Sequence, residues 1–247
     1  MRAGEDGGGC FPTGRHYPGI AHLLRVVAQG LIDGIDAGTA ISEMSFAAID
    51  TETTGRDPAV DRIVEFAIVV WERGEIAARH RFLVNPGRPI PQEAFDVHGI
   101  SDEAVKDQPP FAAVCEEILQ ALAGKIPLAY NADFDRAFFM EELARAGVAL
   151  TSPPPAARRG VEWVDPLVWA REFHKEEKSK ALGEVAARLG VALENAHSAA
   201  DDAEAAMRVL AAFLPDPRVP AAYGAFIQEQ RRLARQHDEE RQYWRKG

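Results

Sequence analysis

The chain has 247 residues, 47% of them hydrophobic, with 28 Lys and Arg against 38 Asp and Glu and a formal net charge of −10. That length allows one α/β domain with a full core plus appendages, and leaves too little for a second complete domain. The acidic balance excludes a protein that holds nucleic acid mainly by coating its phosphates with Lys and Arg, whereas acids loaded with metal ions can still present local positive charge to a single phosphate.

Residues 1–43 open with Gly4, Gly7, Gly8 and Gly9, a composition expected to be disordered. Ile20, Leu23, Leu24, Val27, Leu31 and Ile35 then recur at helical spacing, which predicts one amphipathic helix. Phe46 to Asp50 reads as a short buried strand. Ile63 to Trp71 and Ile76 to Val84 flank Arg73-Gly74 and read as a hairpin. After a Pro-rich loop and Phe95-Asp96-Val97-His98-Gly99-Ile100, helical periodicity runs from Phe111 to Leu122. Ile126 to Tyr130 is the predicted fourth strand, and Phe134 to Ala146 a helix closed by Gly147. Val164 to Phe173 reads as a strand end passing into helix, and Ala181 to Leu189 and Ser198 to Leu214 as two further helices. Pro215, Pro217 and Pro220 close the domain; Tyr223 to Trp244 is helical but mostly charged, and is expected to lie on the surface or reach a partner.

Only Cys10 and Cys115 are present, so neither a disulfide framework nor a zinc-ligand pair can be drawn. No run approaches the roughly 18 apolar residues of a membrane span, and the N-terminus lacks the basic-then-apolar order of a signal peptide. A cytoplasmic protein without membrane contact is the expectation.

The chemistry concentrates where the apolar run Phe46 to Ile49 ends in Asp50-Thr51-Glu52-Thr53-Thr54-Gly55. Side chains alternate along a strand, so Asp50 and Glu52 project to one side of the sheet. Two carboxylates that close repel each other unless a divalent cation lies between them, and hard oxygen ligands suit magnesium or manganese. Asn131-Ala132-Asp133-Phe134-Asp135 places a further acid, Asp135, at the strand-to-helix rim where ligands of open α/β sheets gather. His197 stands at the start of the predicted Ser198 to Leu214 helix, followed by Asp201 and Asp202; an ideal helix would align Asp201 with it more closely than Asp202, so spacing does not choose between them.

In that order, Asp-Thr-Glu at 50–52, Asn-Ala-Asp-Phe-Asp at 131–135, and His197 with Asp202 resemble the three motifs of the DEDD exonuclease superfamily, histidine subclass, over about residues 44–214. Pro91 to Phe95 and Val97 to Ile100 are similar to that superfamily's segment beside the substrate's 3′ end. One departure is Tyr130, where many members carry His. The resemblance implies a ribonuclease H-like α/β fold, a mixed five-stranded sheet flanked by helices, with helical extensions at residues 1–43 and 215–247 around an exonuclease domain at 44–214. It implies Asp50, Glu52, Asp135 and Asp202 as ligands of two divalent ions, Mg2+ or Mn2+, with His197 as general base, and it selects Asp202 over Asp201. Thr51, Glu93 and His98 would contact substrate.

The function implied is a 3′-to-5′ exonuclease on single-stranded DNA or RNA ends, as a monomer or homodimer. A proofreading subunit bound to a DNA polymerase is the alternative, against which stands the lack of a short apolar clamp-binding motif in residues 215–247; a protein partner at the C-terminal helix is a separate expectation. An inactive scaffold is a third reading, disfavoured by the presence of all four acids and His197.

Overall fold

The computed structural model describes residues 28–148, 151–193 and 198–246. Strand β1 (Phe46–Thr53) lies between β2 (Ile63–Glu72), which runs antiparallel to it, and the short β4 (Ile126–Leu128), which runs parallel; β3 (Glu75–Leu83) completes the order β3-β2-β1-β4. The β2–β3 hairpin turns at Arg73 and Gly74, with φ of 53° and 85°. Two positive φ values in a two-residue loop match the right-handed twist of the flanking strands.

Phe46 to Ile49 are all buried because the sheet is covered on both faces. Phe46 and Ala48 enter a core shared with Val69, Met207 and Leu210, whereas Ala47 and Ile49 enter one shared with Phe66, Phe138 and Phe139. The first face is covered by helix α7 (Ala199–Phe213), with α8 (Tyr223–Lys246) adding to the same core from behind residues 166–173; the second by α3 (Phe111–Ala121) and α4 (Ala132–Ala146). Two short helices, α1 (Gln92–His98) and α2 (Asp102–Val105), precede α3, and α5 (Pro166–Phe173) and α6 (Leu182–Leu189) precede α7. Helix α4 is moored to the loop after β1 by Glu142, which is buried and takes a two-pronged contact from Arg62 (2.6 and 2.9 Å) and another from Arg145 (3.2 Å).

Three expectations are corrected. The sheet has four strands, and the expected fifth shrinks to the parallel bridge of Val164 to Leu128, where Val164 N–H donates to Pro127 and Val164 C=O accepts from Ala129. Pro166 has no N–H to extend a ladder, and the Asp165 side chain accepts from Leu167 N–H, so the chain turns into helix instead. The helix expected over Ile20 to Ile35 is not continued in its described part. Gly30 and Gly34 adopt φ of 91° and 86°, Gly30 C=O accepts from Glu162 N–H, and Ile32 N–H donates to the Tyr223 hydroxyl. The rest of that segment, including the glycine-rich start, lies outside the described residues. Helix α8, finally, is not a surface helix throughout: Tyr223, Phe226, Ile227, Gln230, Leu233 and His237 are buried at helical spacing, and Phe226 stacks on Trp169 with ring centroids 4.9 Å apart. No helix among the described residues is long and apolar enough to cross a membrane.

Candidate active site

Because β1 and β4 are parallel, their C-terminal ends reach the same edge of the sheet. There Asp50 and Glu52 project toward α7, whose first turn supplies Asp202; one carboxylate oxygen from each of the three lies within 4.8 Å of the others. The ambiguity between Asp201 and Asp202 is thereby resolved, since Asp201 turns to a separate groove lined by Arg79, Glu204 and Arg208. Thr51 points through the opposite face of β1, where it is buried and its hydroxyl donates to Asp135 Oδ1 at 2.8 Å. Asp135, 3% exposed in the first turn of α4, is held by Thr51 and is the charge that Asp50 feels most strongly, although it is not one of the three acids within 4.8 Å of one another.

The acids are crowded enough to change one another's ionisation. Burial first, then the charges of Asp135, Glu52, Asp202 and Glu65, push Asp50 well above the usual carboxylate range. Burial, then Asp202, Glu65 and Asp135, raise Glu52 to about 8. Burial raises Asp135 to about 7, against the hydrogen bonds from Thr51 that favour its charge. A hard divalent cation is the natural counter-charge for such an oxygen donor set, so Asp50, Glu52 and Asp202 can hold a metal ion.

A test of this crowding follows. The folded state keeps protons on Asp50 and Glu52 that the unfolded chain releases near pH 4, so between about pH 4 and pH 8 the folded state binds more protons and loses stability as pH rises. Divalent ions bind the deprotonated acids and reverse that loss. The melting temperature in EDTA is expected to fall from pH 5 to pH 8, and the rise given by saturating Mn2+ to be larger at pH 8 by roughly 4–10 °C. An equal rise at both pH values, followed by scanning calorimetry, would remove the argument.

Two residues near the cluster carry no motif. Glu65 stands directly opposite Glu52 on β2, is 1% exposed, and is ion-paired with Arg81. Only strand register brings it there. Asp165 joins α5 to the start of α4: its carboxylate accepts from Asn131 N–H (3.0 Å), Ala132 N–H (3.2 Å) and Leu167 N–H (2.9 Å), and burial raises it to about 6. It thereby holds the turn in which Asn131 takes φ of 67°, a left-handed conformation that Asn tolerates well, and from which α4 carries Asp135. Gln230 of α8 accepts from Asp165 N–H (2.9 Å) and donates to Trp163 C=O (2.9 Å), so the C-terminal helix helps fix the same turn.

Glu93 and His98 lie on α1, Glu93 exposed and His98 buried. His98 Nδ1 accepts from Ile100 N–H at 3.0 Å, and burial lowers its pKa against hydrogen bonding to the Thr53 backbone and the charge of Glu65. His98 thus sits against the end of β1. His197 lies outside the described residues; Ser198, which follows it, is the N-cap of α7.

The family model RNase_T, described as Exonuclease, matches residues 47–210. Among curated relatives, the DNA polymerase III PolC-type of Streptococcus suis (strain 98HAH33) is 32% identical over 214 residues, 83% of this chain and 14% of that protein. The PolC-type polymerase of Streptococcus sanguinis (strain SK36) is 31% identical over 176 residues, 71% of this chain and 12% of that protein. The chain thus spans only a small part of the length of these relatives. Among solved structures, E. coli Exonuclease I in complex with a dT13 oligonucleotide superposes with a TM-score of 0.60 at 20% identity, over 71% of this chain and 42% of that one. The nuclease domain of 3′hExo, a DEDDh family member bound to rAMP, gives 0.60 at 18% identity, over 72% and 96%. At these identities the likeness speaks for a shared ribonuclease H-like fold.

Proposed function

The chain belongs to the exonuclease family within the DEDD superfamily, and we propose that it removes nucleoside monophosphates from the 3′ ends of single-stranded DNA or RNA with the help of two divalent metal ions. The observation that carries this reading is the convergence of Asp50, Glu52 and Asp202 within 4.8 Å at the sheet edge, with Asp135 close enough to be the charge that Asp50 feels most strongly. Hydrolysing a phosphodiester requires a nucleophile made from water, stabilisation of charge on the phosphate, and help for the departing 3′ oxygen. When bound, a pair of divalent ions supplies all three near neutral pH.

The chain's own residues then have separate tasks. Asp50, Glu52 and Asp202 would hold one ion, and Asp50 with Asp135 the other, while Thr51 orients Asp135 through one carboxylate oxygen. His197 takes the proton of the attacking water. Glu93, exposed on α1, and His98, buried at the end of α1, would contact the terminus of the substrate chain. Residues 44–214 form the catalytic unit in this reading, and α8 belongs to its support through Gln230.

The direct test is the release of mononucleotides from a 5′-labelled single strand in Mg2+ or Mn2+. Stepwise shortening from the 3′ end, abolished by EDTA, is expected. Shortening from the 5′ end, or cleavage of a circular single strand, would overturn the assignment. The same assay on matched DNA and RNA strands reads substrate preference, since discrimination rests on contacts with the 2′ hydroxyl.

The similarity to PolC-type polymerases favours a second reading of the same chemistry, proofreading of a polymerase product. It is distinguished by faster removal of a mismatched than of a matched 3′ nucleotide from a primed template when a polymerase is present.

A further inference from the structure

At the strand end that carries Tyr130 and Asn131 of the second motif is a cleft whose Arg171 and Lys180 the proposed chemistry does not use. Its position follows from register. Ala48 pairs with Leu128 across the parallel β1–β4 ladder, so Tyr130, two residues beyond Leu128, leaves the sheet at the same level as Asp50 and on the neighbouring strand. From there a cavity of about 440 Å³ opens between Tyr130, Asn131, Leu167, Arg171, Lys180 and Leu182.

Two of these six side chains are cations and none is a carboxylate, on a chain whose formal charge is −10. Two other cavities include acids, Asp33 and Glu116 in one and Asp201 and Glu204 in the other. Arg171 is half-buried and has no carboxylate within ion-pairing distance among the described residues; the nearby Asp165 carboxylate already accepts from three backbone amides. Burial, and then the like charge of Arg241, lower the Arg171 pKa against the opposing charges of Asp165 and Asp238. Lys180 lines the cleft and donates to the carbonyls of Lys175 and Glu177, and its ammonium has a third donor to give. The Tyr130 hydroxyl donates to Lys180 C=O and closes the loop over the strand end. Two cations, partly withdrawn from water in a cleft that no carboxylate lines, form a receptor for a phosphate group.

We propose that this cleft binds a backbone phosphate of the nucleic acid strand between Arg171 and Lys180, holding the strand while its end lies in the acid cluster. The proposal rests on the nuclease reading for the identity of the strand, but not for the existence of the anion site. It also explains how an acidic protein keeps hold of a polyanion: a few cations placed along one path suffice where a basic surface is lacking.

The test compares a substrate with one phosphate against substrates with many. Arg171→Gln, Lys180→Gln and the double variant are assayed with the p-nitrophenyl ester of thymidine 5′-monophosphate and with single strands of two and twelve nucleotides. For the double variant, KM for the longer strand is expected to rise about tenfold, and the plot of log(kcat/KM) against log salt to become shallower by about one. Ester hydrolysis is expected to be unchanged, and Arg171→Lys, which keeps the charge, to restore most of the loss.

Equal losses on ester and strand would place the effect in the reaction centre and overturn the proposal. Equal losses on two and twelve nucleotides, with weaker inhibition by thymidine 5′-monophosphate, would assign the cleft to the terminal nucleotide and overturn it too. If the parent chain hydrolyses neither ester nor strand, the nuclease reading fails. The cleft is then read by fluorescence anisotropy of a labelled twelve-nucleotide strand in Ca2+, where an unchanged Kd for the double variant counts against it.

Discussion

Asp50→Ala is expected to lower the rate of mononucleotide release by at least about 10³-fold and, in the same protein, to raise the melting temperature measured in EDTA. The two effects have one cause. Asp50 is flanked by Glu52 and Asp202 within 4.8 Å, and of its charged neighbours it feels Asp135 most. On the proposed reading it is the one acid that contributes to both ions. Metal-assisted hydrolysis draws several kcal/mol of charge stabilisation from such ligands, and about 1.4 kcal/mol corresponds to tenfold in rate. Without metal, the same carboxylate is a buried like charge that its neighbours push toward protonation, so its removal relaxes the folded state near neutral pH. Asp50→Asn separates the charge from the volume: it should be as inactive as Asp50→Ala and more stable than the parent in EDTA, without opening a cavity. Binding of Mn2+ followed calorimetrically should weaken in both variants. Activity within tenfold of the parent would remove Asp50 from the centre, and an unaltered melting temperature in EDTA would remove the crowding.

The parts of the fold and site that could be read in advance depend on short-range periodicity. Phe46 to Ile49 followed by Asp50 and Glu52 announces a doubly covered strand with two acids on one face, and β1 carries both. Arg73-Gly74 between two apolar runs announces the hairpin, and the left-handed φ of both residues is the reason that pair works. What could not be read depends on register and long-range contacts. Glu65 reaches the cluster only because β2 pairs with β1 so as to place it opposite Glu52. Asp165 binds the amides of residues more than thirty positions earlier, and no local pattern marks it as the cap of two elements. Asp135 is legible as a first-turn acid, but its bond to Thr51 on the far face of the strand is not. In α8 the dense charge of one face hides a buried stripe, because Gln230 and His237 complete it and a polarity count scores both as surface residues. The helix expected near Ile35 fails for a related reason: apolar spacing persists through Gly30 and Gly34, although their positive φ forbids the helix that the spacing suggests.

His197→Ala is expected to lower kcat by about 10²- to 10⁴-fold while leaving Mn2+ affinity within a factor of about two, the signature of a lost base rather than a lost ligand. His197 directly precedes Ser198, the N-cap of α7, and Asp202 in that helix's first turn is the acid that closes the three-carboxylate cluster. A residue one position before the cap is thus tied in sequence to the element that completes the centre. An imidazole with an unperturbed pKa of about 6.5 is mostly neutral at pH 7.5, and only the neutral form can accept a proton. The parent's log kcat should therefore rise with unit slope below about pH 6.5 and level off above it, and the variant should lose that bend. The carboxylates give a second pH dependence that must be kept apart: they affect metal occupancy, which shows in the metal concentration needed for half-maximal rate and disappears at saturating metal. The profile is accordingly measured at saturating Mn2+. A variant that keeps the bend, or that recovers full rate when Mn2+ is raised, would assign His197 to metal binding and leave the attacking water to be deprotonated by another group.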